Sequence, residues 1–445
     1  MSNSQKNFVG LLSSLNGAIE TFPDRRTGKN LQYSMHDIAM GAFAVFFTQS
    51  PSFLSHQKLM QETKGMNNAE TIFSIEKIPC DNHIRTTLDA VAPTFLYPVF
   101  DHMYSEFERQ PQFNSVVGIN GTRLIAMDAT WYFSSGNISC PQCSTMEHKS
   151  GETTYYHSAI TPVIVTPEIN QAIPLRPEFI TPQDGHTKQD CETVAGKRWI
   201  ESNKDQSYCQ NATILGDDLY SRLPFCRKVI DAGMHFLLVC KPDSHKALIA
   251  WLEEMENGND LDRFTYSRWT GKRRETLTYR FANQVPLTDA PDTLLVNWCE
   301  LTITDDNGKI LYRNSYITDH SIHAGNVEAM VTSGRTRWKI ENENNNTLKT
   351  KGYHLEHNFG HGKKYLSSLL ATMNILAFLF HTFLGFVDEK YQELRKRLPT
   401  RAIFFEHLRS ITCYWCFKSW QSLLEFMLDG LDKRHTPETI HLYCR

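Results

Sequence analysis

Between residues 113 and 242 short apolar runs alternate with helical stretches, and this alternation restricts the core of the chain to an α/β architecture. SVVGI and TRLIAMDATWYFSS read as strands, the second with Asp128 inside it, and HSAITPVIVTP (157–167) reads as a third. The helix-like QDCETVAGKRWIESN precedes the strand ATILGDDLY (212–220), which is followed by the helix SRLPFCRKVIDAG and the strand HFLLVCK. Two of these strands carry acids where apolar side chains are the rule. Asp128 is isolated in LIAMDAT, and Asp217 with Asp218 closes TILG. A carboxylate in such a place is expensive unless it meets a metal or a cation.

The flanks read differently. Residues 1–110 are helical in pattern: MHDIAMGAFAVFFTQSPSFLSHQKLMQE (35–62) has near-helical apolar spacing, and Asp81, after Pro79, can cap a helix starting at Asn82. Residues 243–330 read as a β-rich insertion with a short helix, a basic stretch RFTYSRWTGKRRETLTYR and two strands, LLVNWCELTIT and KILYRNSYIT, joined by the turn DDNG. A helix is expected from about Arg335 to Thr350, within a segment 331–364 that completes the core, and 365–445 is helical again. Tyr365–Val387 is apolar enough to raise a membrane span, but Asn374 and His381 in its middle favour a buried helix. The absence of a signal-like N-terminus and the odd count of 11 cysteines fit a reducing, cytoplasmic setting. A formal net charge of −3 does not by itself favour DNA, so a DNA enzyme of this composition must segregate its charges.

Two sets of side chains carry chemistry. Asp128, Asp217 and Glu341 are hard oxygen donors suited to Mg²⁺ or Mn²⁺, and a pair of ions about 4 Å apart is the arrangement for phosphodiester chemistry. Taken singly each reads as an ordinary strand-end or surface acid; the signal lies in their joint placement. Cys140 and Cys143, followed by His148 and His157, offer a two-sulfur, two-nitrogen set of the kind zinc accepts. A loop with free thiols, or Cys191 or Cys209 in place of either histidine, is the alternative, but the close cysteine pair favours a metal.

From about residue 20 to 385 the sequence resembles the DDE transposases of bacterial insertion sequences, the cut-and-paste group with a ribonuclease-H-like core and a β-rich insertion. The residues that carry the resemblance are LIAMDAT for the first Asp, Asp217-x-x-Tyr220 for the second, and, for the third, the pattern Arg-Trp-x-Ile-Glu, matched by Arg337-Trp338-Lys339-Ile340-Glu341; PDRRTGKNLQYS and IPCDNHIR look like the family's pre-catalytic region. The family pattern has a Tyr three residues before the Arg and a Lys seven after the Glu, where this chain has Gly334 and Leu348, with Lys349 next. The resemblance implies a ribonuclease-H-like core flanked by helical regions, with an N-terminal DNA-binding domain. It implies metal-dependent cleavage at transposon ends, joining to target DNA, and a homodimer on double-stranded DNA in a bacterial, nucleoid-associated setting without a membrane. A nuclease lacking strand transfer, and a domesticated DNA-binding protein without catalysis, remain as alternatives. Candidate DNA contacts are Arg337, Lys349, Lys351, the insertion residues Lys272, Arg273 and Arg274, and Arg25, Arg26 and Arg85; Trp338 reads as a core residue.

Overall fold

The computed structural model describes residues 3–27, 31–61, 65–182 and 188–432. Parts of four expectations lie outside these residues: 1–2 of the N-terminal helical region, Gly28–Asn30 of PDRRTGKNLQYS, the last residue of the 35–62 run, and 433–445 of the C-terminal helical region. The chain divides into two compact units. One comprises Met1–Phe113, Trp131–Ser158 and Asn344–Arg445, and the other Asn114–Thr130 and Ala159–Glu343. The N- and C-terminal helical regions, expected as separate domains, thus belong to one unit, which also takes in a stretch that follows Asp128.

The second unit is built on a nine-stranded sheet, whose strands are numbered here in chain order: β1 (Arg123–Ala126), β2 (Val163–Val165), β3 (Ile173–Pro174), β4 (Ala212–Gly216), β5 (His235–Val239), β6 (Asp262–Trp269), β7 (Arg274–Pro286), β8 (Leu295–Asp305) and β9 (Ile310–Thr318). Their spatial order is β6-β7-β8-β9-β5-β4-β1-β2-β3. β1, β4 and β5 run parallel, while β2 and β3 pair antiparallel on one side and β9 antiparallel on the other. β1 and β4 read as continuous apolar runs because parallel strands are covered on both faces, and Leu124, Ile125, Ala126, Ile214 and Leu215 are all fully buried. Helices Lys188–Asn203 and Leu223–Asp231 make the crossovers into β4 and β5.

Several local expectations need correcting. Asp128 lies after β1 and before the next strand, Ala129–Ser135, and so at a strand end. SVVGI forms no strand. The 157–167 run breaks at Thr161–Pro162, since Pro162 cannot donate to a ladder. The insertion has four strands, because the basic stretch is itself a hairpin, β6–β7. The helix expected at 335–350 is interrupted: helix Val327–Arg335 ends, Ile340–Asn345 is π-helical, and a short helix follows at Asn346–Thr350.

In the first unit the apolar run 35–62 forms two helices, Met35–Phe47 and Phe53–Gln61, separated where Pro51 stands and Gln49 takes a left-handed φ of 50°. The helix near Pro79 begins at Asp81 rather than Asn82, and Cys80 caps it without a side-chain bond. Leu366–Val387 is the one described helix long and apolar enough to cross a membrane, and 83% of its most apolar window is buried inside the protein. It is a core helix: Phe380 meets Phe43 at 5.2 Å and Phe383 meets Phe107 at 5.0 Å. Asn374 and His381 find buried partners, the Tyr353 carbonyl (2.7 Å) and hydroxyl (2.6 Å). The backbone N–H groups that open this helix are met by Asp89, whose carboxylate accepts from Lys363, Lys364 and Leu366. An anion suits that position because the N-terminus of a helix carries partial positive charge.

Asn68 joins the two ends of the chain within this unit. Fully buried, it donates to the carbonyls of Thr412 (2.9 Å) and Trp415 (2.7 Å) and accepts from the Phe417 amide (2.9 Å). Asn68→Ala is expected to leave these groups unsatisfied and to cost roughly 2–4 kcal/mol, read as a fall in the urea midpoint; a change under about 0.5 kcal/mol would show that the contact is incidental.

Candidate metal and DNA-processing sites

The pairing of β1 with β4 places two acids abreast. Ala126 is in register with Leu215, so Asp128 and Asp217 each stand two residues beyond a matched pair, at the ends of adjacent parallel strands. Neighbouring strands lie about 4.8 Å apart, and ligands in open α/β sheets collect beyond such strand ends. The backbone around Asp128 is held from both sides: the Met127 amide donates to the Leu215 carbonyl (2.8 Å), and the Asp128 carbonyl accepts from Thr161 (3.2 Å).

Asp217 and Asp218 separate by their partners. Asp218 is consumed by the fold, accepting from the Lys241 amide (2.6 Å) and the Ser244 hydroxyl and lying 3.6 Å from His245. Asp217 accepts only from the Leu219 amide (2.9 Å) among the described residues, which leaves one oxygen open. Tyr220 makes this turn rigid. Its ring lies where a Cβ on Gly216 would approach to 2.9 Å and one on Gly196 to 3.0 Å, and its hydroxyl donates to Glu192 (3.0 Å). The aromatic of the Asp-x-x-Tyr pattern is therefore a buried anchor. Glu192, the acid that Tyr220 meets, sits in a helical run whose residues do not set it apart.

Burial pushes the Asp128 carboxyl up to about 6; Arg337 opposes this, Asp217 and Glu341 add to it, and the Ala129 amide opposes it. Both other acids and the arginine thus act on Asp128. Asp128 is half-buried and Glu341 exposed, and the three carboxylates do not close to within 4.8 Å of one another. Trp338, expected in the core, is 44% exposed. Gly334 stands where the resemblance calls for a tyrosine, and a Cβ there would meet the Tyr316 ring at 2.7 Å, so that ring already fills the space. Leu348 is fully buried, and Lys349 pairs with Glu356 at 2.9 Å. Lys351 is exposed.

Two groups of donors do lie within 4.8 Å of one another and can hold a metal ion: Cys140, Cys143, His157 and His361, and His235, Asp319 and His320. In the first, Cys143 turns back on Cys140 through a 3.0 Å backbone bond, while the amides of Cys140 and Gln142 point at sulfur at 3.4 and 3.3 Å. The sulfurs are 3.9 Å apart, His157 Nε2 lies 3.5 Å from both, and His361 Nε2 lies 3.5 Å from the Cys143 sulfur. His148 is not part of this group. It bonds to the Thr154 hydroxyl at 2.8 Å across its own hairpin, and His361, 218 residues beyond Cys143, takes the fourth place. Cys191 and Cys209 are buried elsewhere. Burial holds the His157 ring down to about 4 and pushes the Cys143 thiol up to about 11. The second group is already committed: His320 bonds to Asn120 (3.2 Å) and Thr213 (2.9 Å), and Asp319 to His235 (2.6 Å) and the Phe236 amide (2.8 Å).

The basic candidates divide into free and engaged. Arg26 is bound to Asp24 (2.6 Å) and the Tyr33 carbonyl (2.7 Å), and Arg85 to the Phe359 carbonyl (2.8 Å) and Asp81 (3.2 Å), so both hold the fold; Arg25 is exposed. On the β6–β7 hairpin Arg273 and Arg268 share the buried Glu275, each at 3.0 Å. Lys272 and Arg274 form no ion pair among the described residues and flank Trp269, which is 67% exposed.

No protein-family model matches the chain, and no curated protein matches it.

The raised Asp128 carboxyl gives a pH prediction. Its folded value lies above the unfolded one, so this group's contribution to stability falls as pH rises from about 4 to about 6 and remains unfavourable above that. Asp128→Asn should therefore stabilise metal-free protein at pH 7, by on the order of 1–2 kcal/mol, with the gain vanishing near pH 4. A destabilised variant at pH 7 would contradict the assignment of the strain to this charge.

Proposed function

We propose that this chain is a DNA transposase that cleaves at transposon ends and joins the freed 3′ ends to target DNA. The observation that carries this reading is the group of Asp128, Asp217, Glu341 and Arg337, in which two acids end adjacent parallel strands and the other two residues act on the first. The order β3-β2-β1-β4-β5, in which β2 alone runs against the other four, supports a ribonuclease-H-like core. The π-helical turn at Ile340–Asn345 also bears on the displaced lysine: such a turn holds one residue more than an α-helical one, which matches the one-residue delay of Lys349 in the sequence.

Three carboxylates with open oxygens suit one or two Mg²⁺ or Mn²⁺ ions, which when bound supply activation of the attacking oxygen and stabilisation of the departing one. The protein's own residues do the remaining work. Asp128 has to be deprotonated to serve as a ligand, so a metal must displace its proton, and the burial that raises this carboxyl favours the proton. Arg337 offers a planar guanidinium to a phosphate, and Trp338 beside it is exposed enough to stack on a base. Lys272, Arg274 and Trp269 form a backbone-binding tip on the insertion, where phosphate contacts position a duplex without reading it. Cutting two ends together requires two copies of the chain.

Asp128→Asn, Asp217→Asn and Glu341→Gln are each expected to abolish Mg²⁺-dependent cleavage and joining of end DNA. Asp218→Asn should keep both while losing about 1–3 kcal/mol of stability, because its partners are structural. Cleavage without joining by the wild type would make the protein a nuclease, and a fully active Asp217→Asn would refute the site.

The Cys140, Cys143, His157 and His361 group belongs to different chemistry, and we assign it to structural zinc. Bond lengths of about 2.3 Å to sulfur and about 2.0 Å to nitrogen around a tetrahedral ion put S···S edges near 3.8 Å and S···N edges near 3.5 Å. The observed edges, 3.9 and 3.5 Å, have that shape. Four protein ligands leave no open position, as structural rather than catalytic sites require. Protein purified without added metal should contain close to one zinc per chain; His361→Ala and Cys140→Ser should lose it and His148→Ala should keep it. Zinc retained in His361→Ala but lost in His148→Ala would reverse the ligand assignment.

A further inference from the structure

Lys339 lies between Arg337 and Glu341, in the position that the resemblance leaves unspecified. It is only 3% exposed, and its ammonium makes no ion pair among the described residues. Nζ instead donates to three backbone carbonyls in the bend that follows β2: Thr166, Pro167 (3.2 Å) and Ile169 (2.9 Å). All three donor positions of the ammonium are used, and burying a lysine this way is expensive unless the contact does something. The bend it grips continues from β2, and β2 is paired residue by residue with the strand that delivers Asp128, Val163 opposite Ala126 and Val165 opposite Leu124. The Thr166 hydroxyl ties the same bend to the Val117 carbonyl at 3.0 Å.

The segment that carries Glu341 needs such a hold. Helix Val327–Arg335 stops before Arg337, and the backbone becomes π-helical from Ile340, so regular α-helical bonding does not fix Glu341 against the sheet. Ile340 packs into the apolar core on one side of Lys339, which sets the depth of the turn, while the carbonyl grip sets its rotation and its place along the sheet. We propose that Lys339 is a positioning residue that sets Glu341 and Arg337 against Asp128, so that the three carboxylates can form a single divalent-metal site.

This rests on the transposase reading above only in its choice of Asp128, Asp217 and Glu341 as ligands, and the test separates the two. The probe is Mn²⁺ alone, with binding to the purified full-length protein followed by electron paramagnetic resonance, with no DNA present. Wild type should bind, and Asp128→Asn should not. Lys339→Met keeps the stem and removes the ammonium. Groups that orient metal ligands typically change affinity by 10–100-fold, so this variant should bind Mn²⁺ at least about tenfold more weakly while retaining its zinc and its circular dichroism. Thr166→Val, which is isosteric and loosens the gripped bend without touching a carboxylate, should weaken Mn²⁺ binding measurably, by a smaller factor than Lys339→Met. It carries the test should Lys339→Met fail to fold. Unchanged Mn²⁺ affinity in folded Lys339→Met, or in Thr166→Val where the first does not fold, overturns the positioning role. Equal binding by wild type and Asp128→Asn overturns the carboxylate site itself.

Discussion

The arrangement of the second unit depends on the parallel pairing of β1 with β4. That pairing costs the chain a long crossover, because parallel neighbours cannot be joined by a tight turn. In return it aligns the ends of two buried strands, so that the residues leaving them face the same space. With Ala126 against Leu215, a shift of one residue would separate Asp128 from Asp217 and would bring Met127 or Asp218 to the edge. Asp218 could not serve, since its oxygens hold Lys241 and Ser244 in place for the next strand and helix. The adjacent acids therefore have distinct tasks, and the register of one strand pair assigns them.

The site is held in an electrostatically unfavourable state. Burial and two neighbouring carboxylates keep a proton on Asp128 to higher pH than an exposed aspartate would, with Arg337 as partial compensation. Perturbations of this kind collect at functional sites, and a stable fold tolerates them when the surroundings over-determine the geometry. Here those surroundings are the Tyr220 ring packed against Gly216 and Gly196, and the lysine that grips three carbonyls. The Cys/His group follows the opposite logic. Its donors are already grouped at tetrahedral spacing, with a soft ligand set that hard Mg²⁺ does not favour, so the two kinds of site do not compete for one ion.

Much of this was legible in the residues. Strand β4, both crossover helices and the DDNG turn could be read from local pattern, because each depends on neighbours within a few positions; the preference for Asp217 over Asp218 came from the resemblance. The break after Met127 was not legible: the apolar run continues through TWYF, and only the pairing of Met127 with Leu215 and of Asp128 with Thr161 shows where one strand ends. The interruption near Arg337 was missed because the residues from Arg335 to Thr350 suit a helix; the departure is imposed by Ile340 entering the core and Lys339 reaching the β2 bend. His361 is invisible in the sequence as a partner of Cys143, since a contact 218 residues distant leaves no spacing to read, whereas His148 lies close to the cysteine pair in the chain but not in the fold. The basic hairpin was seen as charge, but its pairing with Glu275 follows from strand register and leaves fewer free cations than the composition suggests.

The central claim, that Asp128, Asp217 and Glu341 form one divalent-metal site, is tested most directly by replacing Mg²⁺ with Fe²⁺ and generating hydroxyl radicals at the bound ion with ascorbate and peroxide. The radicals cut the backbone next to the metal, and the fragments give its position. The account predicts cuts near residues 128, 217 and 341 together, suppressed by excess Mg²⁺ and absent from Asp128→Asn. Cuts confined to the neighbourhood of Cys140 and His361, or cuts at the carboxylates that Mg²⁺ does not suppress, would contradict it.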